Sequence, residues 1–246
     1  MAFSLPFSRS VAAFILAVGM ISCATETKPP SPAELAGRAA SKIVVTPLNM
    51  ALALDARLET STEIVDDALA RQIEAGGKTL ERLEYRLARS LWVQAANQVR
   101  RSGGEQTFEA AAKIFARLVA ERVEFDALII ASLYLQNAKV GERVVRWDGA
   151  SQAMNFVGRS RWKIEMPPLS TVPAASVHVY VLDREGTEIH AKRTGVELIQ
   201  HMEIHTSNRK GHDKQTWVLV DDEPAIDDPV RVRAAIAYAL SPFLQK

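Results

Sequence analysis

The chain has one cysteine in 246 residues. No disulfide can form within it, so its stability must come from a packed core. Neither sign of charge dominates, since 30 lysines and arginines face 29 aspartates and glutamates. That balance gives no electrostatic ground for expecting nucleic acid as a partner. No internal repeat of fixed period is present, which excludes solenoids and propellers. The GxSxG elbow of serine hydrolases and the HExxH helix of zinc proteases are both missing. With no recognisable set of convergent acid, base and nucleophile, neither catalysis nor a cofactor is expected.

What is present begins at the first residue. Met1 to Ser10 carries one cationic side chain, Arg9, and Val11 to Ile21 (VAAFILAVGMI) is apolar and uncharged. Small Ser22 and then Cys23 close the run. This is the charged, apolar, small-residue order of a secretory signal. The apolar run is shorter than the roughly 20 residues that a mature spanning helix needs. Residues 1–22 are therefore expected to be removed as a signal peptide. Their single charge is Arg9, so 30 less one leaves 29 basic against 29 acidic residues in the mature chain.

Met20-Ile21-Ser22-Cys23 resembles the lipobox of bacterial lipoproteins, with Met20 in place of the commoner Leu and Ile21 larger than the usual small residue. The resemblance implies diacylation of Cys23 and cleavage just before it. Two or more acyl chains give stable anchoring where a single one binds only marginally. Lipidation also accounts for the lone cysteine of an exported chain. Ala24 follows where an Asp would favour retention in the inner membrane of enterobacteria-like cells, so the periplasmic face of the outer membrane is the expected location. Residues 23–41 read as a lipidated tether, stiffened by Pro29, Pro30 and Pro32.

Residues 42–246 read as one α/β domain, sized for a single core. Ile43 to Leu48 fits a buried strand, and Thr60 with Glu63 has the spacing of a capping box. The helix that follows carries Ile64, Ala68, Leu69 and Ile73 on one face and stops at Gly76-Gly77. Thr79 to Glu84 reads as a strand, and Leu87 to Arg100 and Glu105 to Arg122 as helices. Ala127 to Leu135 is a strand-length run apolar enough to be buried on both faces. Val144 to Trp147 reads as a strand and Arg159 to Pro173 as an irregular, proline-bearing loop. Val177 to Leu182 and Thr187 to Lys192 form a hairpin about a glycine turn. Trp217 to Val220 is a short last strand. Asp228 and Pro229 start a terminal helix, with Val230, Ala234, Ile236, Ala237 and Leu240 as its packing face. The expected architecture is a mixed sheet flanked by helices, with the C-terminal helix closing one face.

This order resembles the periplasmic lipoproteins with a TolB-N-terminal-like α/β domain. That group includes the curli secretion lipoprotein and the lipoprotein activators of penicillin-binding proteins. The resemblance is carried by the lipobox at Cys23, the strand IVVTPL, the helix leading into FDALIIASLYL, the hairpin VHVYVLDREGTEIHAKR and the helix DDPVRVRAAIAYALSPFL. It implies a non-catalytic interaction role in envelope assembly or export, with an envelope protein as partner. The curli relative contributes long amphipathic hairpins to an oligomeric barrel. No matching pair of long alternating strands is evident here, and the oligomeric state is open.

Two groups of side chains stand out as sites. His201, Glu203 and His205 share one face of a strand, where two or three of them suit Zn²⁺; the same residues fit a solvated polar face. Arg146 and Trp147, with Arg161 and Trp162, mix cations and aromatics in the manner of a partner-binding hot spot, and equally fit edge packing. The acids Asp221, Asp222, Glu223, Asp227 and Asp228 lack the spacing of a calcium loop and read as a polar loop with a helix cap. The metal site is the alternative function: a small-ligand- or metal-binding lipoprotein.

Overall fold

A computed structural model describes residues 30–103, 105–141, 144–157, 169–209 and 212–244. The signal segment, Cys23, and the pair Arg161 and Trp162 lie outside the described residues. The expected class holds: five helices flank mixed sheets. Among the described residues, no helix is long and apolar enough to cross a membrane.

The main sheet is built on β3 (Ala127–Val140). Along one edge of β3 lies β1 (Lys42–Val45), parallel, and beyond it β2 (Thr79–Arg82), also parallel. Along the other lies β7 (Thr171–Leu182), antiparallel over its whole length, and then β8 (Glu188–Leu198). Odd residues of β3 face α2 (Thr62–Ala75) and α5 (Pro229–Leu240), so Ile129, Ala131 and Leu133 share a core with Leu69, Ile73 and Ile236. Even residues face α3 (Tyr85–Arg101) and α4 (Phe108–Ala120), where Leu128 and Ile130 meet Leu91, Phe115 and Val119. A strand buried on both faces has to read as an unbroken apolar run, and Ala127 to Leu133 does.

The far end of β3 is different. There β4 (Val145–Trp147) replaces β1 beside it, followed by β5 (Ala150–Gln152). This end rolls up until the β4–β5 turn reaches β8, with the Gly195 amide donating to the Asp148 carbonyl at 3.1 Å. Trp147 fills the interior and donates its indole N–H to the Ala175 carbonyl at 3.0 Å. Any side chain at Gly195 would place its Cβ 2.3 Å from that indole nitrogen, so only glycine fits.

A second sheet holds β6 (Phe156–Val157), β9 (Gln200–Arg209) and β10 (His212–Asp221) in the order β10-β9-β6. Expectation and structure part company here. Only Trp217 to Val220 reads as a strand in the sequence, yet β9 and β10 pair over ten residues each. A pair of long strands is therefore present. Residues 169–173 likewise do not belong wholly to a loop, since β7 starts at Thr171 and carries Pro173 opposite Asn137.

Three smaller expectations also shift. The cap of α2 is not Thr60 with Glu63. A 3₁₀ turn, Ala56–Ser61, runs into the helix, and its carbonyls already occupy the first amides, as Glu59 does for Thr62. Ser61 instead accepts the Ile226 amide at 3.1 Å. The buried face of α5 is Val232, Ala235, Ile236, Ala239 and Leu240, while Val230 is 63% exposed. Finally, residues 32–39 of the expected tether form α1 (Pro32–Ala39), started by a capping box of Ser31 and Glu34 with Pro32 at the first position. This helix is docked. Lys78 donates to the Gly37 and Ala40 carbonyls at 2.7 and 2.5 Å, and Gly37 lies against the Phe243 backbone, where a Cβ would stand 1.7 Å from the carbonyl oxygen.

Asp126 closes the head of the sheet, accepting from the Ser41 amide, the Ser41 hydroxyl and the Lys42 amide, each at 2.8 Å. The Lys42 and Ser41 amides hold its carboxyl below the usual range. A depressed carboxylate stabilises the fold above its unfolded pKa, and that contribution disappears as pH falls through the folded value. Asp126→Asn is expected to lower stability at pH 7 by about 1 kcal/mol, the lower range for charge-assisted bonds because the group is open to water. The difference should shrink in denaturant titrations as pH falls below the usual carboxylate range and through the folded value; an equal loss at neutral pH and at the acid end would refute the assignment. Gly37→Ala is expected to undock α1, read as faster proteolysis within residues 30–40 while the rest of the body stays resistant.

Candidate functional site

A polar cavity lies where the two sheets meet. It has a volume of about 270 Å³ and is lined by Gln152, Asn155, Glu197, His201, Asp222 and Asp227, among others. The end of β8 supplies Glu197 and the start of β9 supplies His201, because the chain turns from one sheet into the other at Ile199. His201 Nδ1 meets Asp222 Oδ1 at 2.6 Å. Gln152, at the end of β5, accepts the Leu198 amide at 3.1 Å and ties the wall to the rolled end of the main sheet. The segment 221–225 separates this cavity from a more open cleft of about 450 Å³ beside Arg57 and Thr60.

Glu197 is the unusual member. It is 8% exposed and sits between buried Val196 and Leu198. Burial pushes its carboxyl pKa up, against the opposing pull of the Asp228 amide 3.4 Å away; Asp227 pushes up further, and Arg231, at 3.9 Å, pulls down. The folded state thus holds this proton more tightly than the unfolded chain. Its contribution is present below the unfolded carboxylate range and is lost as pH rises through the folded value.

The three residues expected as metal ligands are placed on one strand but are not brought together. His201, Glu203 and His205 do lie on alternate positions of β9, opposite Val220, Val218 and Thr216. Their side chains diverge, however: His201 turns to Asp222, while His205 approaches Glu203 at 3.6 Å in the open. Among the described residues, no three His, Cys, Asp or Glu side chains come together as a metal site. Asp228 is the cap of α5, accepting the Val230 and Arg231 amides at 2.8 and 3.2 Å.

The aromatic–cationic expectation divides. Trp147 is 6% exposed and belongs to the core, so it presents no surface to a partner. Arg146 points outward from the same strand and lines a shallow cleft with Lys139 and Ser151. In the turn between β4 and β5, Asp148 has φ +37° and accepts the Tyr134 hydroxyl at 2.8 Å. Burial, and then that carboxylate, keep the Tyr134 phenol protonated.

An apolar surface is found elsewhere. Phe156 and Val157 on β6 are each 48% exposed, and Phe156 packs edge-on against Trp217 of β10 at 5.5 Å. Met202 and Ile204 of β9 stand opposite Leu219 and Trp217 on the same side of the hairpin. Among the described residues, β10 pairs only with β9. Sequence reasoning missed Glu197 and Phe156, and read Asp222 only as part of a polar loop. Only Glu197 left a readable signal, as a single acid inside the apolar run GVELI.

Comparison of the chain with known protein families, with characterised proteins and with solved structures found no match.

Glu197→Gln is expected to raise the melting temperature at pH 8 and to have little effect at pH 4, followed by circular dichroism. A variant less stable than the parent at pH 8 would show that the Arg231 contact outweighs the burial of the charge.

Proposed function

We propose that this chain is a lipid-anchored interaction module at the periplasmic face of the outer membrane, serving envelope assembly or export without catalysis. The observation that carries this reading is the β6–β9–β10 sheet. It combines Phe156, half exposed on the side of the sheet that Ile204 and Trp217 share, with a β10 edge that carries no other strand among the described residues. An open edge beside an apolar face is what a second chain needs to add a strand or cover a patch. The lipobox-like Met20 to Cys23 supports the anchor. The resemblance to TolB-N-terminal-like lipoproteins supports the role.

A second reading, a small-ligand-binding lipoprotein, is favoured by the cavity of Glu197, His201 and Asp222. Its acids suit a cationic group such as an amine. A diamine should then raise the melting temperature of the parent and not of Asp222→Asn; no shift in either removes this reading.

The interaction reading is tested by crosslinking the full-length lipidated protein in native membranes, followed by mass spectrometry, beside Cys23→Ala and Phe156→Asp. One envelope protein is expected to be enriched with the parent and lost with Phe156→Asp at unchanged circular dichroism. Equal capture with Phe156→Asp would rule out this surface. Equal membrane fractionation of Cys23→Ala would rule out the anchor.

A further inference from the structure

Helix α3 has seventeen residues, with four arginines and no acid: Arg86, Arg89, Arg100 and Arg101. All four side chains are exposed. At 100° per residue they fall, with Val93 and Asn97, within an arc of about 120°. The opposite side carries the buried Ala88, Leu91, Ala95 and Val99. Among the described residues none of the four arginines is ion-paired. Arg89 donates to the Met50 carbonyl at 3.3 Å and Arg100 to the Asn97 side chain. In α2, across the sheet, Asp66 is paired with Arg82 and Asp67 with Arg71.

The whole chain is nearly balanced, so composition does not force four like charges onto one face. Arg86 sits in the first turn of the helix, where the macrodipole disfavours a cation, and it repels Arg89 at i,i+3, whereas Arg100 and Arg101 sit in the last turn, where the dipole favours them. Glu84, the cap of the helix, offsets the first turn by accepting the Arg86 and Leu87 amides, but among the described residues no acid pairs with any of the four arginines, and a face left cationic points to an anion supplied from outside. The cations are all arginine, whose planar fork pairs bidentately with carboxylates. Tyr85, 59% exposed, and Val93, 45% exposed, lie beside them, giving the mix of arginine, tyrosine and apolar area found at protein interfaces.

We propose that the outer face of α3 docks an acidic segment of the protein partner. This rests on the interaction reading and adds the partner's chemistry. A membrane is the weaker occupant because of where the tether joins. Helix α1 is docked against Phe243, in the core beneath α2 and α5, so α3 lies on the opposite layer.

The test uses the full-length lipoprotein in non-ionic detergent with a fluorescent polyglutamate peptide as probe, read by anisotropy. Binding is expected to weaken as salt rises and to fall about tenfold in Arg86→Gln/Arg89→Gln, while Arg233→Gln on α5 leaves it unchanged. Equal binding by parent and double variant overturns the proposal. So does displacement of the peptide by micelles containing phosphatidylglycerol at matched charge, which would assign the face to lipid. Retention of the crosslinked native partner by the double variant overturns the α3 surface while leaving the interaction reading intact.

Discussion

Strand β3 has to satisfy two different surroundings along one continuous backbone, and the rest of the molecule follows from how it does so. Its first half lies between two helical layers, with odd side chains in one core and even side chains in the other. Each fully buried Leu or Ile there contributes about 1.5–3 kcal/mol, provided that the helices on both sides remain. Its second half has left those helices behind and must find cover elsewhere. The sheet supplies that cover by rolling, so Ala138, Val145, Trp147, Val172, Ala174 and Leu198 make a small core of their own. Gly195 is the condition for this closure, because the Trp147 indole occupies the space that a Cβ would need.

The rolled end also explains where the polar cavity lies. Once β5 is brought against β8, Gln152 can bond the Leu198 amide. The chain then has to leave the main sheet, and it does so at Ile199, which is fully buried. Glu197 immediately precedes that exit and is held under the start of α5, where the Asp228 amide and Arg231 are its polar company. A carboxylate in such surroundings is retained at some expense to stability at neutral pH. Its neighbours His201 and Asp222 come from β9 and from the segment after β10, so three separate elements meet at one small space.

Much of the main body was legible because its signals are local and strong. The stripes of α3 and α4, the unbroken run of β3 and the Asp-Arg-Glu-Gly turn each encode one element without help from the rest. Other features depend on partners distant in sequence. Trp147 reads as an exposed aromatic beside Arg146 until Gly195 and Ala175, far along the chain, close over it. Thr60 and Glu63 have the spacing of a capping box, but a preceding 3₁₀ turn had already filled the amides. The packing face of α5 was misplaced because the helix is apolar on most sides: Val230, Val232, Ala234, Ala235 and Ile236 give periodicity little to choose between, and the sheet decides.

The second sheet shows the same dependence in its sharpest form. Taken alone, β9 reads QHMEIHTSNR, a polar segment with two apolar residues, and its histidines invite a metal. Its apolar residues become meaningful only across the hairpin, where Met202 meets Leu219 and Ile204 meets Trp217. Cross-strand pairs of this kind contribute about 0.2–1 kcal/mol each, so two of them do not fix a ten-residue hairpin by themselves. The remainder comes from Met202, which is fully buried, and from β6, which adds Phe156 against Trp217 and bonds the Asn155 carbonyl to the Met202 amide at 2.9 Å. That support reaches only the base of the hairpin. The stretch beyond Ile204 has β10 on one side and no strand on the other among the described residues. Among the described residues this leaves a long ladder with a short apolar base and no strand along its outer edge, and the proposed reading rests on that surface rather than on the histidines within it.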